Sequence, residues 1–352
     1  MKLEVYPDDD RFLLGEGPLY DEETDELHWI DITGCAIFTH RHGEPTVRYD
    51  IGEKPGVIAV RSKGGFVVAS KNGFSFLKDG KLDHIVSPFG KDHPILRMND
   101  GAVDCKGESN AADRPECQNL VVVLTRNSVL SGRFWAGSMA DVEEHHDANK
   151  NRGILYRLDP DLTCHAMDDG IGIVNGKICS GQTLPQIILS RNDLLPTAFA
   201  DILCLIGVCW SPDNSVMYMA DSEDKKIYIY DFDAESGNIS NKRLFLDTAI
   251  SYPDFNPDGA CIDSEGYLWW ALWNGSRLIR IAPDATIVEE VTVPALRPTA
   301  PCFFGKDLSS LFITSSGAQE GGVQEGGVQE GGKNFVLKDV KVKGLPKFKF
   351  GG

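Results

Sequence analysis

A strand–turn–strand phrase returns along this chain, and it constrains the fold more than any other feature. Pro18-Leu19-Tyr20-Asp21 leads through a turn to Glu26-Leu27-His28-Trp29-Ile30-Asp31. Val208-Cys209-Trp210-Ser211-Pro212-Asp213 leads to Val216-Met217-Tyr218-Met219-Ala220-Asp221, and Ala260-Cys261-Ile262-Asp263-Ser264-Glu265-Gly266 leads to Tyr267-Leu268-Trp269-Trp270. Each copy reads as an apolar strand, a tight turn carrying Asp, and a second strand rich in Leu and aromatics. Convincing amphipathic helices are nearly absent, so an all-β fold is expected. Such a unit cannot bury its apolar face alone, and its copies must stack on one another.

Glu16, Gly56, Asn99, Asn175, Asp258 and Thr299 each open a unit, at spacings of 40, 43, 76, 83 and 41 residues. Blades of a β-propeller take roughly 40–50 residues, so three spacings fit and two are too long. The excess is local. Lys106-Gly107 should turn directly into Gly132-Arg133-Phe134-Trp135-Ala136-Gly137, but 24 residues, 108–131, stand between. Asn175-Gly176 should run into Val208-Cys209-Trp210, but 31 residues, 177–207, intervene. Without these segments both long spacings become 52. Gly107-Glu108-Ser109 and Gly176-Lys177 can be encoded by strings resembling splice donors. The two segments are therefore read as translated introns, with genuine surface insertions, which loops tolerate well, as the alternative. Residues 318–333 hold an imperfect Gln-Glu-Gly-Gly-Val repeat and read as a low-complexity loop. Phe335 to Val342 alternates like one last strand, expected to complete the closing blade. Residues 1–352 are thus read as a single propeller domain carrying two non-native insertions and one low-complexity loop.

Four stations on this frame carry oxygen-bearing side chains beside glycine: Gly15-Glu16-Gly17, Arg97-Met98-Asn99-Asp100-Gly101, Asn175-Gly176 and Pro257-Asp258-Gly259. Glycine permits crowded backbones and positive φ. Carboxylate and amide oxygens suit a hard divalent cation. Residues so far apart can share one ion only if the fold brings them to a common axis.

Composition narrows the partners. A formal charge of −17 over 352 residues argues against nucleic acid, whose phosphates need Lys and Arg. No apolar run approaches the ~18 residues of a membrane helix, so no membrane partner is expected. The first ten residues lack the apolar region of a secretory signal. Nine cysteines, odd in number and without Cys-x-x-Cys spacing, suggest reduced thiols, and a cytoplasmic location is expected.

Leu14-Gly15-Glu16-Gly17-Pro18, Arg97-Met98-Asn99-Asp100-Gly101, Gly132-Arg133-Phe134-Trp135-Ala136-Gly137-Ser138-Met139, Trp210-Ser211-Pro212-Asp213, Pro257-Asp258-Gly259 and Arg297-Pro298-Thr299 resemble, in order, the motifs of the regucalcin/gluconolactonase family. The resemblance covers nearly the whole chain apart from the two insertions and the repeat loop. It implies a six-bladed β-propeller with one divalent ion at the mouth of its central channel, and hydrolysis of small sugar lactones. Calcium is the first expectation for the ion, with zinc, magnesium and manganese as the other candidates. By the same resemblance Glu16, Asn175 and Asp258 match the metal-ligand positions, and Arg97 and Asn99 the substrate contacts. A further family carboxylate falls at Val142 in strict register, so Asp141 or Glu143 is expected to substitute for it.

Asp258 is the candidate base for attack of water on a polarised lactone carbonyl. Arg97 offers a fixed fork of donors, and Asn99 can donate to and accept from sugar hydroxyls. Two other readings use the same scaffold: a calcium-binding regulatory protein without catalysis, and an esterase or phosphotriesterase. Competing motifs fail. Glu143-Glu144-His145-His146-Asp147 sets its adjacent histidines on opposite faces of a strand. No Gly-x-Ser-x-Gly elbow, zinc-protease helix or phosphate-binding loop is present. Asp8-Asp9-Asp10 lacks the spaced ligands of an EF-hand.

Overall fold

The computed structural model describes residues 1–7, 11–89, 96–105, 131–141, 153–168, 173–178, 205–317 and 330–352, with the backbone alone at 131, 173–178 and 205. Glu143, Asp8-Asp9-Asp10 and most of the segments 108–131, 177–207 and 318–333 lie outside the described residues.

Six antiparallel sheets surround an axis as a six-bladed β-propeller. Blade 1 runs from Gly15–Asp21 out to Val47–Asp50, and blade 2 from Pro55–Val60 to Lys81–Val86. Blade 3 begins with Leu96–Val103, blade 4 with Leu205–Trp210, blade 5 with Asn256–Ile262 and blade 6 with Pro298–Phe304. These six first strands pack against one another around the channel. Blade 3 has a fifth, outermost strand, Ile173–Ile178. Among the described residues the only helical turn is Thr248–Ile250, and no helix is long and apolar enough to cross a membrane.

The core lies between blades rather than within them. Trp29 stacks on Phe38 at 5.6 Å, and Tyr6, Phe12 and Phe312 close around them, joining blades 1 and 6. Trp135, Trp210 and Phe232 do the same for blades 3 and 4. Each such aromatic buries enough surface that truncation to Ala costs about 3–5 kcal/mol. All six described cysteines are free thiols, and five of them, all but Cys35, fill this space as small hydrophobes.

Two features differ from the sequence expectation. Phe335–Lys338 is the third strand of blade 6, not its last; Lys2–Val5 pairs beside it in the register Lys2↔Lys338 and completes the blade. The alternation through Val342 did not extend the strand, because Asp339 takes a left-handed conformation (φ 57°) and turns the chain away. After that turn, residues 343–352 cross the base of the propeller. Ser264 N donates to Lys343 O, Ser62 N to Phe350 O, and Lys349–Phe350 pairs in parallel with Ser131–Gly132.

The hairpin of blade 3 closes across residues 108–131: Val103 faces Phe134, and Asp104 N donates to Arg133 O at 3.0 Å. Residues 177–207 behave differently. The inner strand of blade 4 starts inside that segment, at Leu205, while Asn175-Gly176 stays on the outer edge of blade 3.

Candidate metal and substrate site

All six first strands break register near their beginnings: Glu16/Leu19, Pro55/Val57, Met98/Gly101, Ile206/Cys209, Pro257/Ala260 and Pro298/Pro301. A bulge re-aims side chains that strict alternation would send elsewhere. The ring of bulges therefore turns one short stretch per blade toward the axis at one end of the channel. Glu16 directly precedes its bulge, whereas Asn99-Asp100 and Asp258-Gly259 lie within theirs.

Three carboxylates at this end lie within electrostatic reach of one another, and each is anchored by the glycine that follows it. Gly17 N donates to Glu16 Oε2 at 3.0 Å, Gly101 N to Asp100 Oδ1 at 2.7 Å, and Gly259 N to the Asp258 carboxylate. Asp100 Oδ2 also accepts from Gly207 N at 2.7 Å, tying blade 3 to blade 4. Gly207 needs its lack of a side chain: its φ is +71°, and a Cβ would sit 2.4 Å from the Trp270 ring. Glu16 is 7% exposed and Asp258 4%. Among the described residues none of the three carboxylates forms an ion pair.

Their electrostatics follow from this confinement. Burial, then the charge of Asp100, pushes the Glu16 pKa up to about 8, against the Gly17 amide and Arg97. Burial, then Glu16 and Asp100, raises Asp258 well above the carboxylate range. Burial raises Asp100 too, opposed by the Gly207 and Gly101 amides and by Lys347. Buried carboxylates without a counter-charge are costly, and a cation relieves that cost. Among the described residues no three His, Cys, Asp or Glu side chains gather closely enough to hold an ion by themselves.

Arg97 and Asn99 are buried at the same end. Arg97 Nη1 donates to Asn99 Oδ1 at 2.7 Å and to Met98 O at 3.1 Å, which fixes the guanidinium. Arg97 lies near enough to interact electrostatically with Glu16, Asp258 and Asp141. Asp141, at the end of the second strand of blade 3, pairs with Lys54 at 2.9 Å and Lys71 at 3.2 Å. Burial works to raise its pKa, but Lys54, Arg97 and Lys71 outweigh it and hold the carboxyl below its ordinary value.

Of the residues expected at the site, Glu16, Asp258, Arg97, Asn99 and Asp141 stand at one end of the channel, and Glu143 lies outside the described residues. Asn175 is placed apart from them, four strands from the axis. The register position it was expected to fill is occupied by Ile206, because Ile206-Gly207-Val208 reproduces the glycine and apolar pattern that the inner strand and its bulge require. Asp100 is the residue that sequence reasoning passed over. Its signal was present: Asp100-Gly101 repeats the carboxylate-glycine pairing of Glu16-Gly17 and Asp258-Gly259. Below it an axial cavity of about 60 Å³ is lined by Asp100, Val103, Val208 and Ala260 and floored by Lys347 and Phe348.

Residues 14–116, 129–183 and 189–317 match the family described as the SMP-30/Gluconolactonase/LRE-like region. Regucalcin from Gallus gallus is 27% identical over 97% of this chain and 96% of its own length. A Bacillus subtilis (strain 168) protein named "Putative sugar lactone lactonase YvrE" is 29% identical over 88% and 86%. The fold superposes on a luciferin-regenerating enzyme with a TM-score of 0.76 at 23% identity, covering 100% of this chain and 99% of the other. It superposes on a calcium-binding regucalcin from Agrobacterium tumefaciens with a TM-score of 0.73 at 21% identity, covering 97% and 95%.

Proposed function

The chain belongs to the SMP-30/gluconolactonase/LRE-like family, and from that premise we propose that it hydrolyses a small sugar lactone at the Glu16–Asp258 end of its channel, using one divalent cation. One observation supports this most: two carboxylates are buried there without an ionic partner, next to a fixed arginine–asparagine pair. Glu16 and Asp258 suit a hard cation, calcium first and zinc, magnesium or manganese as alternatives. Held there, the ion would polarise the carbonyl and make water easier to deprotonate.

The chain's own residues account for the remaining steps. Asp258 takes the proton from water as its oxygen adds to the lactone carbonyl carbon. The bond from that carbon to the ring oxygen breaks, and the departing oxygen receives the proton, leaving the open hydroxy acid. Arg97 and Asn99 orient the substrate hydroxyls, with Asp141 and Glu143 as further candidates for contact. Deep burial limits competing water.

The test is acid release from D-glucono-1,5-lactone with each of the four cations. Turnover is expected with at least one, lost on chelation and lowered at least about 100-fold by Asp258→Asn. Undiminished turnover after either change overturns the mechanism. Tight cation binding without hydrolysis of any lactone would favour the calcium-binding reading, and faster hydrolysis of an aryl phosphotriester the esterase reading.

A further inference from the structure

The side chain of Asp141 is 1% exposed, while the two lysines that contact it keep an edge to solvent, Lys54 at 11% and Lys71 at 21%. Both lysines come from blade 2. Lys54 directly precedes its first strand, and Lys71 stands in the turn between its second and third strands, Phe66–Ser70 and Gly73–Lys78. Lys71 N donates to Lys54 O at 2.9 Å, which holds the two residues side by side. The carboxylate of neighbouring Glu53 accepts instead from Ser70 Oγ at 2.9 Å and from Asn72 Nδ2.

The same stretch abuts the Arg97–Asn99 pair. A Cβ on Gly56, two residues after Lys54, would lie 2.4 Å from Met98 O and 2.5 Å from Asn99 O. Arg97 also bears on Asp141, so three cations converge on one buried carboxylate. Charge is thus divided across the entrance. Glu16 and Asp258 stand on blades 1 and 5, whereas Lys54, Lys71 and Arg97 belong to blades 2 and 3.

We infer that Lys54 and Lys71 bind an anionic group of the substrate, so that the preferred lactone is an acidic one, carrying a carboxylate or phosphate at the end of the sugar away from the reacting carbonyl. This rests on the reading that the entrance hydrolyses a sugar lactone. With its carbonyl toward Glu16 and Asp258, such a molecule turns its far end toward the lysines, and opposite charge fixes that orientation. An ammonium has three hydrogens, and the bond to Asp141 takes one of them. Asp141 is then a positioning residue, which holds both ammonium groups at the entrance and meets the substrate through them.

The experiment compares kcat/KM, with one cation throughout, for acidic and neutral lactones of the same ring. D-glucaro-1,4-lactone is set against D-glucono-1,4-lactone, and 6-phospho-D-glucono-1,5-lactone against D-glucono-1,5-lactone. In at least one pair the acidic member is expected to be favoured at least about tenfold, which also tells carboxylate from phosphate. That preference is expected to shrink at least about threefold between about 0.05 M and about 0.5 M salt. Lys54→Gln and Lys71→Gln are each expected to reduce it at least about fivefold, and Lys71→Arg to retain most of it. Equal kcat/KM within both pairs overturns the inference and leaves the lactonase reading standing, and so does a preference undiminished by both glutamine substitutions. Failure to hydrolyse any of the four lactones removes both readings together.

Discussion

The base of the channel and the Glu16–Asp258 pair at its other end treat buried carboxylates in opposite ways, although Asp141 beside that pair is met by Lys54 and Lys71. At the base, Asp104 accepts from Arg133 N at 2.8 Å, Arg133 Nε at 2.7 Å and Trp135 Nε1 at 2.7 Å. Asp263 accepts from Arg280 Nη2 at 2.7 Å, Trp269 Nε1 at 3.2 Å and two backbone amides, and Asp21 pairs with Lys349 at 3.0 Å. Each of these three carboxylates is met by a cation from the chain. At the entrance, Glu16, Asp100 and Asp258 receive only amides. Satisfied buried pairs define a rigid scaffold, while carboxylates without an ion pair at the opposite end are what the proposed cation would neutralise.

Breaking the base should cost the most. Asp104→Ala strands a buried Arg133 and is expected to lower unfolding free energy by about 3–5 kcal/mol in denaturant titrations, with lactone turnover per folded molecule unchanged. The entrance should behave in the reverse sense. Asp258→Asn is expected to remove at least about 100-fold of the turnover while making the cation-free protein more stable at pH 8, because a charge held without a partner is gone. A loss of stability at Asp258 equal to that at Asp104 would abolish the contrast.

Acidity sharpens the comparison. The Glu16 carboxyl binds its proton up to about pH 8 when folded, against an ordinary value of 4.5. The folded state therefore holds more protons than the unfolded one between these limits, and stability declines as pH rises through that window. Its contribution is complete below pH 4.5 and lost above about pH 8. A cation must displace those protons, so thermal stabilisation by calcium is expected to be larger at pH 8 than at pH 5. Equal stabilisation at both would show that the entrance carboxylates do not take part. The smallest effect belongs to the outer surface: Glu26→Ala breaks the half-exposed pair with Arg41 at 2.9 Å and should move stability by no more than about 0.5 kcal/mol.

Much of this was legible beforehand. The period of strand pairs specified the blades, since each apolar face needs a neighbour to cover it. Glu16 and Asp258 were visible because carboxylates flanked by glycine have no role in an apolar strand interior. Asp100 was hidden by alternation, which sends adjacent residues to opposite faces; only the bulge between Met98 and Gly101 lets Asn99 and Asp100 serve the same end. Asn175 was misleading for a related reason. Strand register depends on the pairing partner, and Ile206-Gly207 matches the inner strand as well as Asn175-Gly176 does. The fourth strand of blade 6 could not be read from its local sequence, because Lys2–Val5 finds its partner more than 300 residues away.

That last pairing has a consequence for assembly. Blade 6 joins Lys2–Val5 to Phe335–Lys338, so the ring cannot shut until the chain through Lys338 has left the ribosome. Closing so long a loop is entropically expensive and slow to find. Until then the flank of blade 1 that Tyr6 and Phe312 later cover stays wet, and the newborn protein is most vulnerable to aggregation before that strand emerges.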